Sequence, residues 1–434
     1  MLSVNSRWLA LSLSLFVLAG TSGCSSSKAI KAASLGDLAT LEQLKAEGKD
    51  LHKRDMRMVT PLSQAIANDQ LLAAQFLLDE GADINATSGF ARRSALMVAA
   101  DADNLTAIQL LVARGADINQ GDRRGEAALI HALRRGAGDT VATLLNHGAS
   151  ADARDRKTVP ALILAADAGQ SVITGYLLQA GANPNLTAEK GGRTALMAAA
   201  AQADLTALGL LIAAGADMNL QDSAGATALL QALQAQRQDA FMQLLRAGAD
   251  PKLADSAGMT PLLLSQGRND VRNLTELLAA GADVNTLAPT PTHTSQSVLA
   301  AALRAGQGDA VTVLLQHRPS IGEDELHAAV ESKQLAMLAR LVMAGADVRK
   351  DYVRAPLPAA LNLEQWDMAK LLIDAGAPVN HSVEHYNPAL MYAAQAGNTE
   401  MVALLLAAGA EVDKKTKSGF TSLYQTAYHG KVET

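Results

Sequence analysis

The chain has 434 residues, long enough for two or three globular domains, yet 49% of it is hydrophobic and only 3% aromatic. Apolar content made chiefly of Ala, Leu and Val suits thin layers of closely stacked helices and argues against large aromatic-centred cores. A formal net charge of -6 gives no global reason to expect nucleic acid as a partner, and the single cysteine, Cys24, excludes an internal disulfide.

The N-terminus reads as an address. Arg7 supplies a short positive region, an apolar run extends from Trp8 to Ala19, and small residues follow through Thr21, Ser22 and Gly23 to Cys24. The run is too short to span a bilayer. This arrangement resembles a bacterial lipoprotein signal peptide, with Thr21 where that family usually has Leu. The resemblance implies a signal peptide over 1–23, acylation of Cys24, and a short linker over 24–28. Ser25 in place of Asp implies, by the family's sorting rule, an outer-membrane anchor facing the periplasm of a Gram-negative host. The competing reading is cleavage after Ala19, which leaves a soluble periplasmic protein with Cys24 as a free thiol.

From Ala29 onward one pattern recurs. Glycine, a small residue and usually Asp or Asn appear at Gly81, Gly115, Gly181, Gly215, Gly248, Gly281 and Gly345, with variants at Gly48, Gly148, Gly376 and Gly409. Most steps are 33 or 34 residues, the mark of a solenoid. An apolar pair such as Leu77-Leu78 or Leu244-Leu245 precedes nearly every glycine and ends an outer helix. The glycine then supplies the left-handed residue that reverses the chain. A polar turn such as Asp83-Ile84-Asn85 opens a projecting hairpin, and Thr60-Pro61-Leu62 or Thr260-Pro261-Leu262 starts the next inner helix. These residues resemble ankyrin repeats over 29–434, with twelve helix pairs and a partial thirteenth unit near Gly419. The resemblance implies an all-α ankyrin-repeat solenoid of stacked helix pairs with projecting hairpin fingers. The histidine that the family often places after Thr-Pro-Leu is missing: Ser63, Met97, Met197, Leu230, Leu263, Met391 and Tyr424 stand there.

Regularity holds over 29–285 and breaks over 286–322. The finger after Gly281 is long and carries Pro289, Thr290, Pro291, Thr292, His293 and Thr294; the next glycine-equivalent is Arg318, whose following Pro319 predicts extended backbone there. Repeat decay and a partner-binding insertion both account for this segment. A C-terminal stack over 323–434 ends in an incomplete repeat, where Tyr424 and Tyr428 are expected to cover the core unless the sequence is truncated.

Catalytic spelling is sparse. His381, Glu384 and His385 match the H-x-x-E-H pattern of one zinc peptidase class, but the run lies between Asn380 and Pro388 in a finger loop, without the helix that such ligands need. No catalytic, metal or cofactor residue is therefore assigned, and a zinc hydrolase remains a remote alternative. The fingers carry a clearer signal: Arg54 and Arg57, then Arg92 and Arg93, Arg123 and Arg124, Arg154 and Arg156, and Lys190 and Arg193. Asp55, Asp122, Asp155 and Glu189 share those loops, so a solvated face of mixed charge competes with a basic stripe for an acidic partner. In ankyrin proteins the fingers and inner helices form the binding edge. The expected function is thus a monomeric, non-enzymatic protein-binding module, attached to the membrane by its lipid alone. Narrower versions are an immunity protein against a periplasmic toxin and an envelope adaptor or stress-protection factor.

Overall fold

A computed structural model describes residues 25–289, 296–350, 352–381, 387–416 and 418–431. Cys24 and the signal segment lie outside the described residues, as do 290–295 of the long finger and Glu384 and His385. The class is all-α: among the described residues, 25 helices form twelve pairs and one final helix, and a two-residue strand pair, Leu287–Ala288 with Gln296–Ser297, sits at the base of the long finger.

The local chemistry explains each element. Thr60, Thr194, Thr227 and Thr260 each accept the amide N–H three residues on, at 3.1 to 3.3 Å, and Pro61 and Pro261 fill the first helical position. These caps are buried, so each also spares an amide the cost of burial without a partner. Where the family's histidine is missing, other groups serve the cap. Ser63 Oγ lies 2.6 Å from Ser88 Oγ, while the sulfur atoms of Met97 and Met197 accept from the Ser94 and Thr194 amides at 3.4 and 3.5 Å.

Every outer helix that ends at a repeat glycine reverses as expected; at Gly115, φ is 84°, its N–H bonds Val112 and the next amide bonds Leu111. Arg318 departs from its expectation. Its φ is 52°, left-handed and not extended, and its N–H bonds Leu315. The reversal is thus kept without glycine, because the layers on either side fix the path of the chain.

The described residues form two compact units, one of residues up to Glu189 with Ala213–Gly215, the other of Lys190–Ile212 and Ala216 onward. The segment 286–322 lies inside the second. In the first unit each inner helix packs on its own outer helix and on the inner helix of the next repeat, through Pro61–Ala67, Ala95–Asp101, Ala128–Arg135 and Ala161–Asp167. Alanines Ala65, Ala99, Ala132 and Ala165 meet there with no exposed surface, which is what allows the close approach. Leu77, Leu111, Leu144 and Leu177 are fully buried on the outer-helix side, each worth about 1.5–3 kcal/mol. The second unit repeats the plan, and where Ser265 replaces alanine its hydroxyl donates back to the Pro261 carbonyl at 2.9 Å. In the final helix, Ser422–Tyr428, the buried side chains are Ser422 and Thr426. Phe420, Tyr424 and Tyr428 stack on its exposed side, so the tyrosines do not cover the core as expected.

Polar rungs join successive reversals. Asn85 Oδ1 accepts from the Asp117 amide at 2.8 Å, Asn119 Oδ1 from Ser150 at 2.8 Å, and Asp152 Oδ1 from Asn183 at 2.9 Å. Asn119 also donates to the Gly148 carbonyl at 3.1 Å. Asn119→Ala removes both bonds at about 1 kcal/mol each. Urea denaturation should therefore show a loss of about 2 kcal/mol, against little change for alanine at the exposed Gln43.

Candidate partner-binding surface

Five of the finger loops owe their shape to one carboxylate each, while the second, which carries Phe90 and Arg92, is closed by backbone bonds between Ser88 and Arg93. Asp55, Asp122, Asp155, Asp222 and Asp255 accept with Oδ1 from the amides two and four residues on, at 2.7 to 3.0 Å. Before each cap comes a left-handed residue. Gly125, Gly192, Gly225 and Gly258 fill that slot, and Met58, Arg92 and Thr158 take it as well, with φ 64°, 56° and 63°.

The sequence-derived basic residues separate into two groups. In the first unit Arg92, Arg123, Arg124 and Arg156 are exposed and take no part in the ion pairs found among the described residues. Arg54 is also exposed, at the rim of a concavity of about 200 Å³ lined by His52, Thr60 and Asp83. The others are engaged. Arg57 lies 3.2 Å from Asp55, Arg93 pairs with Asp101 at 2.5 Å, and Arg154 donates to the Thr158 and Thr187 carbonyls at 2.7 and 3.3 Å. In the second unit Lys190 is exposed, Arg193 is half-buried, and Arg354 lies within 3.5 Å of Glu323 and Asp324.

Sequence reasoning missed the apolar half of this surface. Met56 is 99% exposed and Phe90 74%, and both sit on finger tips, with Met58 beside them at 45%. The Gly89 amide bonds the Met58 carbonyl and the Arg123 amide bonds the Ala91 carbonyl, both at 2.9 Å, so the first three tips form one laced surface. The available signal was a phenylalanine, one of five in the chain, standing in a turn outside the helical periodicity.

Behind the tips lies a charge network of the first unit. Asp101 and Arg134 occupy the same place on successive inner helices, as Arg93 and Glu126 do on successive fingers, so one ion pair recurs with its polarity reversed. Arg93 meets Asp101, and Arg134 meets Glu126 in a two-point contact at 2.5 and 2.7 Å. Arg134 also reaches Asp155 at 3.3 Å. Burial by itself would raise the Glu126 pKa, but the Arg134 hydrogen bond, the Arg156 amide and the nearby positive charges lower it to about 2. Burial likewise opposes ionisation of Asp101, and the hydrogen bond from His131, with the charges of Arg93 and Arg135, keeps its carboxyl below the usual range. His131 is 4% exposed, with Nδ1 3.1 Å from Asp101 Oδ1. In the second unit, His381 Nε2 bonds the Tyr352 carbonyl at 2.9 Å.

Comparison with known proteins matches this architecture. The family description "Ankyrin repeats (3 copies)" fits overlapping segments that run from 29 to 288 and again from 357 to 434. The chain belongs to the ankyrin-repeat family, and its repeats constitute a protein–protein interaction module. It is 36% identical over 129 residues to human ankyrin repeat and SOCS box protein 6, covering 26% of this chain and 31% of that protein. It is 32% identical over 108 residues to chicken inversin, covering 24% and 10%. The chain thus spans less than a third of the length of either relative. A solved ankyrin repeat domain of Acinetobacter baumannii is 30% identical, covering 44% of this chain and 98% of that one with a TM-score of 0.42. The human ASB11 ankyrin repeat domain is 23% identical, covering 50% and 96%, also with a TM-score of 0.42.

Arg134→Ala leaves Glu126 ionised, buried and without its guanidinium. Because Arg134 is itself 40% exposed, the expected loss is about 1–3 kcal/mol of unfolding free energy; no measurable loss in urea titrations would show that Glu126 does not depend on this guanidinium.

Proposed function

We propose that this chain is a non-catalytic binding protein, held by an acylated Cys24 at the periplasmic face of the outer membrane, that grips an acidic region of an envelope protein with its N-terminal finger tips. One observation carries the reading: Phe90 and Met56 stand exposed on tips that also present Arg92, Arg123 and Arg124. Aromatic and arginine side chains together dominate binding hot spots, because one buries a large rigid apolar area and the other fixes orientation by forked hydrogen bonds. The finger scaffold supports the same reading. Asp55 and Asp122 brace the first and third tips, and the Ser88–Arg93 backbone bonds close the second, so the contact residues lose little freedom on binding.

The separation of exposed from engaged arginines narrows the test. Phe90→Ala should weaken capture of the partner from membranes of the native host by about 2 kcal/mol, roughly thirtyfold. Joint replacement of Arg92, Arg123 and Arg124 by Ala should abolish it with circular dichroism unchanged. Undiminished capture by both variants would sink the finger-tip reading. The anchor is tested separately: Cys24→Ala should move the protein from the membrane to the soluble envelope fraction.

A further inference from the structure

His131 presents an unresolved polar atom at the centre of the charge network. Asp101 Oδ1, an acceptor, lies 3.1 Å from Nδ1, so the Nδ1 proton is directed to that carboxylate. Nε2 then faces Asp122 Oδ2 at 3.7 Å, too far for a hydrogen bond, and has no other hydrogen-bond partner despite its burial. The side chains of Asp122 and Glu126 are 3% and 1% exposed, so no bulk water relieves the arrangement.

The protein contains its own control. Gln231 occupies the equivalent position of a repeat in the second unit, and there its Nε2 donates to Asp222 Oδ2 at 2.8 Å. The same finger and helix geometry therefore permits direct contact; at His131 the two groups stand apart. One donor atom from each of Asp122, Glu126 and His131 lies within 4.8 Å of the others. Two ligands at about 2.0–2.1 Å from a tetrahedral cation sit roughly 3.4 Å apart, close to the observed nitrogen-to-oxygen spacing and unlike a hydrogen bond.

Four carboxylates, Asp101, Asp122, Glu126 and Asp155, stand in this network against the guanidiniums of Arg93, Arg134 and Arg135, and an ion would share Glu126 with Arg134 and the Arg156 amide, which already bond its two oxygens. We propose that His131 Nε2, Asp122 and Glu126 bind a zinc-class divalent cation, with Asp101 orienting the imidazole from its far side. One nitrogen and two carboxylate ligands suit zinc better than calcium or magnesium, which prefer oxygen alone. A carboxylate on the second nitrogen is the usual support of a metal-bound histidine. The ion would tie the base of the third finger to the inner helix, and so fix the adjacent Arg123 and Arg124. The site does not depend on the finger tips being the binding surface.

The test uses the full chain, stripped with a chelator, dialysed and titrated calorimetrically with zinc sulfate. His131→Gln is the informative variant, because Gln231 shows that glutamine is accommodated at this position. The wild type should bind one equivalent that raises its Tm, His131→Gln should lose that equivalent while remaining folded, and Asp101→Asn should weaken it about 10- to 100-fold. The His381→Ala/His385→Ala double variant should bind as wild type, which removes the other histidine pair from consideration. The imidazole nitrogen spectrum of the wild type gives a direct check, since zinc should shift one His131 ring nitrogen. The proposal is overturned if His131→Gln binds zinc like the wild type. It is equally overturned if the wild type binds no zinc; protons on both His131 nitrogens at neutral pH would then identify an imidazolium held between Asp101 and Asp122.

Discussion

No helix pair in this chain can bury its own apolar surface. Helices of seven to eleven residues are too short to be stable alone, and each is stabilised by the layer beside it. Everything else follows from that dependence. The inner helices must approach closely, so alanine recurs where they touch. The reversals must be cheap, so glycine recurs where the backbone turns left-handed. The loops cannot rely on burial, so a carboxylate braces five of the tips and an amide or carboxylate links one reversal to the next.

The same dependence separates structural charge from surface charge. Arg93 and Arg154 sit among the finger arginines in sequence, yet they serve Asp101 and two backbone carbonyls, as Arg134 on its inner helix serves Glu126. The guanidiniums left outside are those at the tips, next to the exposed methionine and phenylalanine side chains. Behind them, polarity alternates from one repeat to the next, so like charges do not face each other across adjoining layers. His131 stands inside this network with its buried Nε2 lacking a hydrogen-bond partner.

Much of the fold was legible because it follows short-range rules. The spacing of Gly81, Gly115 and Gly148, the Thr-Pro-Leu starts and the buried leucine before each glycine are fixed by local backbone chemistry. The missing histidines were visible too, though not what replaced them: that Met97 sulfur accepts from the Ser94 amide depends on a rotamer set by the neighbouring layer. Arg318 shows the opposite limit, where a local rule about residues before proline yields to the packing around it.

The sequence by itself determined the repeat, its period, its caps and the residues available at the fingers, because each of these is settled within about one repeat of chain. Tertiary structure alone decided which arginines are free and which are committed, that Phe90 and Met56 share a surface with Arg123, and that Asp101 from one repeat meets His131 from the next. Those pairings join residues about thirty positions apart, and the 33-residue pattern leaves them unstated because it records what repeats are alike in, not where neighbouring repeats differ.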